Sequence, residues 1–405
     1  DGYTAGAELP MQAARLFDIP DLLGPLGALY PDEDPDSGGE EEVMELDSIP
    51  MEEDVYGFAI TSLIRDTRML AQKTGHNPRL RWCRLVLAQL FVAACIALQA
   101  YILVQTKLLV TAMHVHQSRE VYDQYEFHMY GGKEANMELT VHGNHRGLPG
   151  FFKQERFDTL PDDVKESICL IALAHPNFFM AILCIWTLTC LGEVKACIWM
   201  IWCLSCTPTI PNMRFATIGH TKYAGDSYEL KAALPAHLQG RVDALEPNDR
   251  LVIGITMGVK RYVVFCIGLP RLVITLFMFW LGCRWLVATS GFEEILLNAV
   301  ALEFVLLLKN LMYQTVVPVR NKQEVKLIKV LPAGGRVRQK ASFSLFFGSF
   351  GLFLIAVCWV YIYTYRWQRA IPNFRWDVRD ACNQFVHQHF GIGTTDEFFT
   401  QMNNA

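Results

Sequence analysis

Apolar residues in this 405-residue chain come in blocks of about 20 or more, separated by polar connectors, rather than at the period of a soluble helix or strand. The first block runs from Leu85 to Val104, a second from Ile168 to Cys206, a pair lies between Gly258 and Thr315, and the last runs from Phe343 to Tyr365. About 20 residues of helix cross the roughly 30 Å of a bilayer's hydrocarbon. The pattern therefore predicts an all-α polytopic membrane protein with about five transmembrane helices, short extramembrane elements and an acidic N-terminal arm.

The divisions expected are an acidic, largely extended arm over 1–64, a basic lead-in and first span over 65–113, and a His-rich extramembrane element over 114–167. A second span with an extension fills 168–206, with His175-Pro176 as a kink near its start, and a polar loop covers 207–257. A helical hairpin over 258–315 turns at Thr289, Ser290 and Gly291. A basic connector over 316–342, with strand-like alternation from Val325 to Leu331, leads to a fifth span over 343–367 and a tail over 368–405. Proline and glycine interrupt Met11 to Tyr30, which is read as a surface-lying segment, and a short helix is expected around Glu229 to Gln239.

Charge orients this plan. Residues 1–64 hold sixteen Asp and Glu against Arg15 alone; with a net charge of −5 overall, the remainder carries +10. Arg65, Arg68, Lys73, Arg79, Arg81 and Arg84 precede the first span, and positive residues favour the cytoplasmic side. The N-terminus is then cytoplasmic, the loops at 207–257 and 318–340 share that side, and the 114–167 region and C-terminus are extracellular or luminal. A sixth span within 168–206 would put the two basic segments on opposite sides, which favours five. The chain opens on Asp1 rather than methionine, as expected of a processed or trimmed product, and no secretory signal is read before the first apolar run.

Candidate chemistry concentrates in the hairpin, where Arg271, Arg284, Glu293, Glu294, Asn298 and Glu303 interrupt apolar sequence. An ionisable group at the centre of a span costs roughly 2.5–3.5 kcal/mol, so such residues face a partner, a cavity or water. They serve either to hold helices together or to form an ion or proton pathway. Arg284 is expected to pair with Glu293 or Glu294 near the turn. Glu294 and Asn298 share a helical face, while Glu303 falls half a turn away, so no single carboxylate stripe results. Arg320, Lys322, Lys326, Lys329, Arg336, Arg338 and Lys340 are candidates for anionic lipid headgroups, with the acidic arm as the other partner considered.

The twelve cysteines fall mostly in or beside apolar blocks and are read as small hydrophobes rather than a disulfide framework, with Cys382 alone in the tail. The CxxC of Cys203 and Cys206 lacks a second zinc-spaced pair, and the histidines at 114, 116, 128, 142 and 145 form no His box. Phosphate-binding loops, a nucleophile elbow, an arginine ladder and internal repeats are all absent from the sequence. The expectation is a non-enzymatic ion channel or ion-translocating subunit with no metal or cofactor and no nucleic-acid partner. It would assemble as a homo-oligomer or within a larger complex, with Glu303, Asn298 and Arg271 lining or controlling the path. The alternative is a non-catalytic structural or accessory subunit of a membrane complex.

Overall fold

The computed structural model describes residues 49–72, 77–140, 143–148, 150–213, 216–219, 250–252, 254–330, 343–379, 381, 382 and 385. The acidic arm before residue 49, His142, the expected helix at Glu229 to Gln239, and Arg336, Arg338 and Lys340 lie outside these residues. Among the described residues five helices are long and apolar enough to cross a membrane. They are α2 (Pro78–Met129), α4 (Pro176–Cys206), α5 (Met257–Ala288), α6 (Phe292–Val316) and the part of α8 over Phe350–Trp367. Their outward faces are apolar, with Leu87, Leu109, Ile185, Leu297 and Val300 among the well-exposed side chains. This is the surface of a bundle that lipid, rather than water, covers. The chain is an integral, multi-pass membrane protein.

Shorter elements complete the order: β1 (Ile49–Pro50), α1 (Val55–Ala71), β2 (Met137–Leu139), β3 (His145–Gly147), α3 (Asp162–Cys169), β4 (Thr217–Gly219), β5 (Arg250–Val252), α7 (Val319–Leu327) and β6 (Ile328–Val330). The full range of α8 begins at Phe343. The first span continues through a π-helical stretch at Thr106–Thr111 to Met129. Its 52 residues reach about 78 Å at 1.5 Å per residue, so the helix projects well past a bilayer.

The second apolar block is not one helix. Ile168 and Cys169 close α3, a 3₁₀ turn follows at Ala172–Ala174, and α4 begins only at Pro176. His175 is extended (φ −121°, ψ 71°), as expected before proline, while Pro176 fits the first helical turn, where its missing N–H is not needed. The hairpin turn falls where the sequence places it. Thr289 is extended and Gly291 takes a φ of 99°, a conformation side chains resist. The Gly291 amide donates to the Leu170 carbonyl at 2.8 Å, pinning the turn to the segment before α4.

Two devices sort the connectors by side. The four strands order as β1-β6-β5-β4, with β5 and β6 parallel and the outer pairs antiparallel. Leu251 is opposite Lys329, and Ile49 opposite Val330. This small sheet joins the segment before the first span, the loop between the second and third, and the connector after the fourth. The strand-like alternation noted in that connector resolves into α7 followed by β6.

The other device corrects the reading of the cysteines. Cys169 and Cys382 form a disulfide with Cα atoms 5.1 Å apart, tying the end of the 114–169 element to the C-terminal tail. Their separation of 213 residues leaves no local spacing signal, which is why Cys382 reads as solitary in the sequence. With five spans, the sheet and the disulfide fall on opposite sides of the membrane.

Candidate functional site

The helix α1 carries no apolar stripe of the ordinary amphipathic kind; every residue from Val55 to Asp66 is buried. It packs against α2, α6 and α7. Its first turn is organised by Asp54, whose Oδ1 accepts the Gly57 amide at 2.7 Å as an N-cap. Gly57 is required there, since a Cβ would sit 2.0 Å from the Glu52 carbonyl oxygen. The loop 51–54 can therefore fold tightly back on the helix and carry Glu52 and Asp54 into the bundle.

There they meet charges from three spans. Arg271 of α5 places Nη1 2.7 Å from Glu52 Oε2, and Nη2 3.3 Å from Glu193 Oε2 of α4 and 3.6 Å from Asp54 Oδ2. Lys309 of α6 lies 2.5 Å from the same Glu193 oxygen and 3.5 Å from Asp54 Oδ2. Arg271 is 2% exposed and Asp54 2%, whereas the Glu52 side chain is 33% exposed, giving the cluster one edge open to its surroundings. The Arg271 guanidinium also lies over the Tyr56 ring at 4.9 Å. Tyr56 donates to Gln99 Oε1 at 3.0 Å, and Gln99 donates to the Val305 carbonyl at 3.2 Å, so a polar chain crosses from α1 through α2 to α6.

With every member ionised the cluster holds three carboxylates and two cations, a net charge of −1. Burial raises the pKa of Glu52, Arg271 opposes it, and the Asp54 charge adds to the rise. A proton on Glu52 would make the cluster neutral. Arranged this way, the group can take up one proton at its open edge without leaving a second unpaired charge.

The hairpin residues named from the sequence are not gathered into one place. Only Arg271 enters the cluster. Arg284 is half-buried with its guanidinium 5.9 Å from the Trp280 ring centroid, and no ion pair joins it to Glu293 or Glu294 among the described residues. Both glutamates are exposed in the first turn of α6, where the helix dipole favours carboxylates. Asn298 donates to Thr289 Oγ1 at 2.9 Å and so braces the turn. Glu303 is exposed on the outer face of α6. The basic connector is partly engaged with protein: Arg320 lies 3.9 Å and Lys326 3.2 Å from Glu324 and Glu53 respectively, and Lys322 donates to the Gln314 carbonyl. Lys329 is part of β6.

Glu52, Asp54, Glu193 and Lys309 are the members sequence reasoning did not single out as a site. Lys309 has a visible signal, a lone cation in the apolar run Val305 to Met312. Compared with known proteins, the chain matches no family model, no curated protein and no solved structure.

Proposed function

We propose that this protein is an ion- or proton-translocating membrane subunit that works as an oligomer, with the Asp54, Glu193, Arg271 and Lys309 cluster as its charge-handling centre. The observation carrying this reading is a nearly balanced set of ionisable groups deep among apolar helices, reached at one edge through Glu52. Intramembrane ionisable groups of this kind are costly and are characteristic of ion pathways and proton relays. The N-terminus is assigned to the cytoplasm and the C-terminus to the extracellular or luminal side. The basic lead-in at Arg79, Arg81 and Arg84 supports that orientation, and so does the Cys169–Cys382 bond, since disulfides persist in oxidising compartments.

The test is ion flux in liposomes holding the purified protein, comparing wild type with Glu193→Gln and the more peripheral Glu52→Gln. A flux whose pH or ion dependence changes in the variants while they remain folded is the expected result. No flux from folded wild type across several ions and pH values would overturn it. That outcome would favour an accessory subunit, a reading supported by the three-segment sheet as a docking face.

A further inference from the structure

Two charges of opposite sign lie exposed within the spans, at one depth, without an ion-pair partner in their own chain among the described residues. Glu303 is on the outer face of α6, and Lys107 on the outer face of α2. Their depth can be fixed by two independent counts. Phe277 precedes Ser290 at the hairpin turn by 13 residues, and Glu303 follows it by 13. Phe277 also lies six residues beyond Arg271, and Glu303 six residues before Lys309, the two cations that share Glu193. Six residues are about 9 Å of helix, so both counts put Glu303 level with Phe277. Lys107 Nζ is 5.9 Å from the Phe277 ring centroid and 5.9 Å from that of Trp280. The carboxylate and the ammonium are therefore within about one helical turn of the same depth, on different helices.

We infer that Glu303 of one copy pairs with Lys107 of the next, making a head-to-tail contact inside the bilayer. The inference rests on the oligomer proposed above and names the surface that builds it. Neither group can be left facing lipid without cost, and each would satisfy the other. The flanking side chains are apolar and exposed, Val300, Phe304 and Leu307 beside Glu303 and Val104 and Leu108 beside Lys107, so helix packing accompanies the ion pair. Because the two faces differ, the contact is heterologous, and repeating it closes a ring when the rotation permits. Arg79, Arg84, Arg261 and Arg366 are exposed near the ends of their spans, and Lys195 is exposed nearer the middle of its own. Lys195 follows Glu193 inward by two residues, which puts it about 12 Å from the level of Glu303, and its long chain can reach toward the interface.

The experiment is oxidative cross-linking, by copper phenanthroline in native membranes, of the full chain carrying Glu303→Cys and Lys107→Cys. The double variant should give a ladder of covalent dimers, trimers and larger species. Each single variant should stay at the background set by the exposed native Cys83, Cys266 and Cys358. Subunit counting by single-molecule photobleaching supplies a second arm. Glu303→Lys or Lys107→Glu alone should reduce multimers about tenfold, the pair together should restore them, and Lys195→Glu should leave them unchanged. A ladder stopping at dimers overturns the head-to-tail geometry. Wild-type multimers with neither ladder nor charge-swap rescue overturn this interface and leave the oligomer reading standing. Monomers in the wild type overturn both.

Discussion

The molecule has two ion-rich regions, and they are held by different means. In the inner cluster, Arg271 and Lys309 are sequestered among apolar helices and balanced by carboxylates from α4 and the loop before α1, with no covalent link among the elements. In the outer cap, Glu126 is fully buried but accepts from the Tyr122 hydroxyl at 2.8 Å and the Gly147 amide at 2.9 Å. Arg146, 1% exposed, donates to the Pro372 carbonyl at 3.0 Å and lies over the Tyr122 ring at 4.7 Å. The Arg375 amide donates to the Tyr122 hydroxyl, and the Cys169–Cys382 bond ties the cap to the tail. The cap also holds ion pairs, Arg146 with Asp123 at 2.5 Å and Arg375 with Glu126 at 3.9 Å, but it adds neutral hydrogen bonds to the same groups and a cross-link. The inner cluster depends on charges answering charges. Loss of Lys309 takes the inner cluster from a net charge of −1 to −2, whereas loss of one cap contact leaves hydrogen bonds to the same groups.

The largest effect is thus expected from Lys309→Met. Removing one partner of a buried ionic group typically costs about 3–5 kcal/mol, and here three carboxylates would be left to Arg271 alone. Thermal unfolding of purified protein should show a large drop, whereas Glu52→Gln, at the half-exposed edge, should cost less than about 1 kcal/mol. Equal melting of Lys309→Met and wild type would remove the distinction drawn between the two regions.

Next in size is the disulfide. Replacing Cys169 and Cys382 by Ala should cost about 2–4 kcal/mol, and the loss should be local. Limited proteolysis should nick the 114–169 element and the tail while α4, α5 and α6 stay protected. Nicking that spreads equally into the spans would mean the cap and bundle do not behave separately. Gly147→Ala probes the cap without touching its cross-link. A Cβ there would fall 2.0 Å from the Tyr130 ring, so the ring must move, and overpacking of this kind costs about 1–3 kcal/mol. The expected readout is increased cleavage of the cap alone.

How much of this was legible beforehand follows from the range of each signal. The five spans and the turn at Thr289 to Gly291 depend on block length and local turn chemistry, which sequence carries directly. Arg271 stood out for the same reason, as a charge in an apolar run. Its partners did not, because Glu52 and Asp54 sit within a stretch whose acidity reads as a solvated tail, and Glu193 beside Lys195 reads as a simple interruption. Only the fold back at Gly57 brings them inward. Strands of two or three residues are too short to show a period, so the sheet was invisible apart from the alternation near Val325. The disulfide joins residues 213 apart, beyond the reach of spacing.

The smallest expected effect separates the regions by pH. Asp377, in the cap, has its pKa raised to about 6, chiefly by burial and then by the negative charge of Glu126, with Arg375 partly opposing. A carboxyl whose folded pKa lies above its ordinary value near 4 binds its proton more tightly when folded. Its contribution therefore favours the cap below about pH 4 and is lost as pH rises through about 6. Asp377→Asn fixes the neutral form. The variant should match wild type near pH 4 and exceed it at pH 7, by less than about 1 kcal/mol because the side chain is partly solvated. Melting curves of the two proteins across that range, read by cap proteolysis, provide the check. A variant less stable than wild type at pH 7 would mean that the Asp377 charge is answered by Arg375 after all. The cap would then lean on its ion pairs as the inner cluster does, and the contrast between the two regions would narrow to the neutral hydrogen bonds and the disulfide.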